Sequence, residues 1–240
     1  MAAGEYVGES FSLAAAVGPR FFLGPVPVSD AIITMWVIMA LIVGASVLLT
    51  RSLNRIPTKR SQSFVETVVE GLLGMVEQQM DGRRARLYIP LLGSLFIFIL
   101  LSNLSGMLPG AGTAPGFMPP TAVWGVTLGM SLVVALSVQV FGVRTHGLSH
   151  FRHFFQPLFL APLMLILGIL EELVRPFSLS VRLFANIFAG ETLLHNILAM
   201  IPYGLPMLIM GLELILGTIQ ALIFTLLSTV YIAGATADHH

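Results

Sequence analysis

The sequence predicts an all-α polytopic membrane protein, a single membrane domain over residues 1–240. About five helices cross the membrane, one amphipathic helix lies at its surface, and two long C-terminal helices fold back as a hairpin. Three observations lead there. Apolar residues make up 56% of the 240 residues, charged residues only 10%, and mean hydropathy is +0.90. A water-soluble domain carries about 25% charged residues, so this chain lacks the groups to cover a water-facing surface. Its uncharged runs match or exceed the roughly 20 residues that cross a 30 Å hydrocarbon core as a helix.

The composition also excludes. The chain has no cysteine, so disulfides and thiol chemistry are ruled out. Formal net charge is 0, and no broad basic field draws in nucleic acid. The N-terminal "MAAGEYVGES" is acidic rather than basic, and the first long apolar run begins near Val28, which argues against a secretory signal. Transit-peptide and lipidation patterns lack support, and no internal repeat of fixed period is visible.

Residues 1–30 form an N-terminal segment. Ala31 to Thr50 is the first span, 20 residues without a charge, preceded by Asp30 and followed by Arg51, Arg55, Lys59 and Arg60. Residues 61–81 differ. Val65, Val68, Val69, Leu72 and Val76 recur at helical spacing, while Glu66, Glu70, Glu77 and Asp81 occupy another face. That is an amphipathic helix at the membrane surface or against a partner; the plainer reading is a helix packed on its own protein. Arg83, Arg84 and Arg86 close this region.

Leu87 to Val143 holds no Asp, Glu, Lys or Arg. Within residues 88–143, the stretch "LPGAGTAPGFMPP" at 108–120 ends one helix and makes a loop before the next. Two spans result, near Tyr88–Met107 and Thr121–Val143. Arg144, His146, His150, Arg152 and His153 follow as a second polar connection. Its histidines are three and four residues apart, but no thiolate or well-placed carboxylate joins them, so a basic connection outweighs a metal site. No metal or other cofactor is expected. Glycine-rich segments follow no nucleotide-binding pattern. Phe159, Phe177 and Phe188 read as lipid or packing contacts.

Residues 157–235 hold two apolar arms, Pro157 to Met200 and Tyr203 to Ala235, with Pro202 and Pro206 marking the turn. As one helix the first arm would reach about 66 Å, too long for a perpendicular span. It is steeply tilted, or it breaks; Pro162, Gly168 and Pro176 permit bends. Lysine and arginine set the orientation. Seven lie between Arg51 and Arg86, and Arg144 and Arg152 lie two spans later. Both connections are expected in the cytoplasm, with the N-terminus and the 108–120 loop outside. Two further crossings put the C-terminal "ATADHH" in the cytoplasm, where His239 and His240 read as a tail.

The charges inside the apolar arms carry the functional signal. An arginine at a helix centre costs about 3 kcal/mol on insertion scales, and Arg182 cannot shed its charge to escape. The plain alternative is a structural salt bridge buried in the bundle. Ser178, Arg182 and Asn186 fall four residues apart, on one broad face. Glu171 and Arg175 share that spacing and can pair. Folding the arms antiparallel about the Ile201–Pro202 turn levels positions that sum to about 403. Arg182 then lies beside Gln220, and Glu191 beside Glu213, with His195 one turn along. Two ionised carboxylates at one depth repel, and a carboxyl group that can exist in either state carries protons. His195 adds a second titratable group. Gly190 and Gly217 offer little bulk and leave room for water or another helix. Nine residues separate Arg182 from Glu191, about 13 Å and half a rotation, so one straight helix does not pair them.

The stretch "EELVRPFSLSVRLFANIFAGE", followed by "ELILGTIQALIFTLLSTVYI", resembles subunit a of the membrane sector of F-type ATP synthases. The likeness is strongest over residues 157–232 and extends back through "LLSNLSGMLPG" to most of the chain. The resemblance implies a stator beside a ring of c subunits, each with an ion-binding carboxylate. It implies two long, steeply tilted C-terminal helices against that ring, and two aqueous half-channels opening to opposite sides. Arg182 matches the family's essential arginine, Gln220 its glutamine and Asn186 its asparagine. Glu191 and Glu213 match half-channel positions, with His195, Ser178 and Asn103 as further candidates for proton translocation. The implied partners are the c ring, b-type peripheral stalk subunits, the rest of the complex and membrane lipid. The implied location is the bacterial inner membrane, and no covalent chemistry occurs in the chain. The "PPTAVWGVT" after the loop departs from the family, because Ala122 and Val123 supply no carboxylate. The alternatives are an ion-coupled secondary transporter, whose duplicated halves are missing here, and a non-conducting membrane scaffold.

Overall fold

The computed structural model describes residues 21–23, 26–51, 60–108, 118–147, 161–201 and 204–237. Readings that fall on Arg55, Lys59, most of the 108–120 loop, His150, Arg152, His153, Phe159, Pro202 and the terminal histidines lie outside these residues, as does most of the segment 1–30. Among the described residues are α1 (Asp30–Thr50), α2 (Arg60–Glu77), α3 (Gly82–Ser105), α4 (Trp124–His146), α5 (Ala161–Met200) and α6 (Leu205–Thr236). A 3-10 turn, Pro120–Ala122, leads into α4. One small element was not foreseen. Phe21–Leu23 (β1) and Val26–Val28 (β2) pair antiparallel, Phe21 opposite Val28. Helices α1, α3, α4, α5 and α6 are long and apolar enough to cross a membrane.

Two boundaries differ from the sequence reading, for one reason. The amphipathic helix α2 ends at Glu77, and Asp81 is not part of it. Asp81 instead caps α3, its side chain accepting from the Arg83 backbone N–H at 3.3 Å. A carboxylate there satisfies one of the free N–H groups of the first turn. Helix α3 therefore starts at Gly82, six residues before Tyr88, and its first turns carry Arg83, Arg84 and Arg86. Arg84 reaches across the bundle, and its guanidinium donates to the Thr236 carbonyl at the end of α6. A cation at a helix C-terminus is favoured by the unpaired carbonyls there.

The core is built from α3, α4, α5 and α6, with α2 against α3. Leu92, Ile99, Leu183, Phe224 and Ile232 are fully buried, and Met130, Val134 and Val138 join them from α4. Leu72 and Val76 anchor α2 to this cluster, while Val65 and Val69 stay exposed. Large apolar side chains line the outside of the bundle, Leu48, Leu136 and Leu173 among them. In a bilayer that is the expected exterior. The long arm does not break: α5 runs continuously through Gly168 and Pro176 for 40 residues. At 1.5 Å per residue it is about 60 Å long, twice the hydrocarbon thickness. Gly204, with φ of 81°, turns the chain from α5 into α6. Trp124 packs edge-on against Phe177 and Phe184, and Phe188 stacks on Phe184, so these phenylalanines hold α4 and α5 together.

Candidate functional site

The α5–α6 hairpin brings several of the predicted polar residues together near its turn. The register is visible at Gly190. A Cβ built there would stand 2.6 Å from Oε1 of Glu213, so the glutamate occupies space that a side chain would take. Positions 190 and 213 sum to 403, the level expected from folding about the turn. Glu213 is buried, 8% exposed, and its Oε2 has no hydrogen-bond partner among the described residues. Glu191, the residue after Gly190 along α5, is half-buried. The described residues include the backbone of His195 but not its side chain.

Helix α3 completes this region. The Asn103 amide donates to the Gly217 carbonyl at 2.9 Å, and a Cβ at Gly217 would lie 3.2 Å from the Asn103 Cβ. Both glycines thus admit a polar side chain from a neighbouring helix. Asn103 Oδ1, Ser102 Oγ and Gln220 Nε2 are buried with no hydrogen-bond partner among the described residues. Glu213, Gly217, Gln220 and Phe224 follow one another on the buried face of α6. Unpaired buried polar atoms cost free energy unless water satisfies them. Several such atoms lie within a few turns of one another here.

Arg182 is elsewhere. It lies on the exposed face of α5 and forms no hydrogen bond or ion pair with the described residues. Ser178 and Asn186, four residues to either side, are half-buried. Gln220 is 6% exposed and makes no hydrogen bond to Arg182. The buried structural salt bridge weighed from the sequence is not formed within these residues. The next turns of α5 do bury their inner side: Leu179, Leu183 and Ile187 are nearly inaccessible, and Ser180 Oγ lies 3.4 Å from Thr127 Oγ1. Arg182 therefore faces away from its own bundle.

A second polar group lies at the opposite end of the hairpin. The expected Glu171–Arg175 pair forms. Around it are Glu172, Gln139 of α4 and Tyr231 of α6, none of which was singled out from the sequence. Gln139 could have been: it is the sole amide side chain in a span that is otherwise apolar or hydroxyl-bearing up to Arg144.

The ATP synthase A chain family model matches residues 32–233. ATP synthase subunit a of Moorella thermoacetica is 41% identical over 220 residues, covering 91% of this chain and 96% of that protein. ATP synthase subunit a of Geobacter sulfurreducens is 37% identical over 226 residues, covering 92% and 95%. ATP synthase subunit a 2 of a Bradyrhizobium species is 39% identical, covering 91% and 93%. A match over nearly the whole length, at this identity and across these same helices, establishes that the chain belongs to the ATP synthase A chain family.

Proposed function

We propose that this chain is the stator of the proton-driven rotary motor of a bacterial ATP synthase, with Arg182 as its electrostatic gate. The supporting observation is the position of Arg182: within a membrane-length helix, on the exposed face, without a partner among the described residues. A fixed cation so placed is costly in lipid. Its cost is offset when a carboxylate from another chain passes in front of it. A ring of c subunits supplies such carboxylates in succession. Helix α5, about 60 Å long, lies steeply tilted so that its face follows the ring.

The cycle follows from charge. An ionised ring carboxylate cannot cheaply enter lipid, but it can pass Arg182. It takes a proton from the region of Glu191, Glu213 and Asn103, reached from outside. Neutral, it turns through the lipid and gives its proton up on the cytoplasmic side. Arg182 repels a proton trying to cross directly, so ions cannot leak without rotation. The membrane potential contributes about 2.3 kcal/mol per charge per 100 mV. The b-type stalk subunits hold the chain still, and ATP chemistry belongs to another sector of the complex.

Replacement of Arg182 tests this. In inverted vesicles, Arg182→Ala is expected to leave assembly intact, abolish ATP-driven acidification and raise passive proton leak. Normal coupled pumping at wild-type assembly would overturn the proposal.

A further inference from the structure

We infer that Glu172, held by Gln139 and Arg175, is the proton-carrying group of the second water path, the one opening at the end of the bundle that bears the C-terminus. This rests on the stator reading above and deepens it. Glu172 stands ten residues before Arg182 on α5, about 15 Å along the helix, whereas Glu191 stands nine residues after it, about 13 Å. Two acidic levels therefore flank the arginine on opposite sides. Gln139 is seven residues from the end of α4 and Tyr231 five from the end of α6, so the cluster belongs to the end away from the α5–α6 turn. The positive-inside count assigns that end to the cytoplasm.

The contacts suit a carboxylate that changes its protonation. Gln139 Nε2 donates to Glu172 Oε1. Arg175 binds Glu171 closely through Nη2, and its Nη1 stands 4.0 Å from Glu172 Oε2. The Arg175 guanidinium also lies over the Tyr231 ring, 5.3 Å from its centre. Two carboxylates thus share one fixed cation. When Glu172 takes a proton, Arg175 keeps Glu171 and no bare charge is left behind. Gln139 serves both states of its partner. Its amide N–H₂ stabilises the carboxylate, while its Oε1, buried and without a hydrogen-bond partner among the described residues, can accept from a protonated carboxyl or a water.

The site is also open. The Glu172 side chain is 32% exposed. Beside it lies a cavity of about 10 Å³, about the size of one water, lined by Ser131, Glu172, Arg175 and Tyr231 and by apolar residues that include Ala135 and Val138. Neither feature is needed by a structural ion pair, which closing the gap would strengthen.

The test uses the assembled complex in membranes, with the chain's lack of cysteine as background. Glu172→Gln is expected to assemble normally and to lower both ATP-driven and passive proton flux by at least about tenfold, as loss of a positioned proton-transfer group does. Glu172→Asp should recover most of that flux. Ala135→Cys should react with a small charged thiol reagent from the C-terminal side alone, and modification should block flux. Wild-type flux in Glu172→Gln overturns the inference. So does reaction of Ala135→Cys from the opposite side, or from neither, and this arm decides the matter if Glu172→Gln fails to assemble. Normal pumping by Arg182→Ala defeats the stator reading whatever Glu172 does. An uncoupled Arg182→Ala beside a normal Glu172→Gln removes the second path alone.

Discussion

Glu213 lies in the space that Gly190 leaves vacant: the distance from a Cβ at 190 to the carboxylate oxygen would be 2.6 Å. No ordinary contact is that short, so a side chain at 190 displaces the glutamate. The obstructing atoms are the far end of a flexible side chain, which can move without unfolding the hairpin. Gly190→Ala is therefore expected to assemble at near wild-type level but to pump poorly, because Glu213 loses its place. Glu213→Asp, one methylene shorter, should recover part of the flux in the Gly190→Ala background. ATP-driven acidification, normalised to assembled complex, measures both.

Glu191 and Glu213 act on one path if the two carboxylates are coupled. Glu191→Gln should lower transport and leave a remnant carried by Glu213. The double change to Gln should depart from the sum of the single effects by about 0.5–3 kcal/mol in apparent activation free energy, as groups in one network do. Simple additivity across the four proton-flux rates would count against a shared path.

Arg182→Lys keeps a charge but loses the planar fork and the fixed protonation state. A lysine in an apolar setting can discard its proton and its cost together. Severe loss of ATP-driven pumping is expected, with assembly retained. Pumping near the wild-type rate would mean that any cation suffices at this position.

Asn103 ties α3 to α6 through the Gly217 carbonyl at 2.9 Å. Asn103→Ala removes that bond, worth about 1 kcal/mol. A modest fall in the thermal midpoint of the purified complex is expected. Gly217→Ala attacks the same contact from the other side, with its methyl 3.2 Å from the Asn103 Cβ. An unchanged midpoint in both variants would show that the contact contributes nothing.

Orientation is testable because the background has no cysteine. Single cysteines at Ser10, Ser61, Thr113 and Ala237 should divide cleanly. An impermeant reagent added outside should label the first and third only. Labelling at Ser61 from outside would reverse the topology.

Much of the bundle was legible because lipid imposes a simple rule: long uncharged runs cross, and charges mark their ends. That rule located α1, α4 and the two long arms. It misjudged the start of α3, because arginines read as a boundary while Asp81 allowed the helix to begin before them. The β1–β2 hairpin escaped notice because three-residue strands carry too little pattern. The level of Glu213 followed from antiparallel folding alone, yet the reason for Gly190 did not. A glycine's purpose depends on what occupies the space it leaves, and that atom belongs to another helix. The Gln139–Glu172 contact was hidden for the same reason: 33 residues separate partners that only packing joins.

The bond from Arg84 to the Thr236 carbonyl has a mechanical meaning. On the stator reading proposed above, a rotor bearing on α5 and α6 would exert torque, and whatever it pushes must not yield. Near its turn the hairpin is braced by Asn103, and at its far end by Arg84, two anchors on a single helix. Helix α3 thereby works as a strut fastened at both ends to α6, so sideways thrust on the hairpin becomes tension along a rigid rod instead of slack at a hinge.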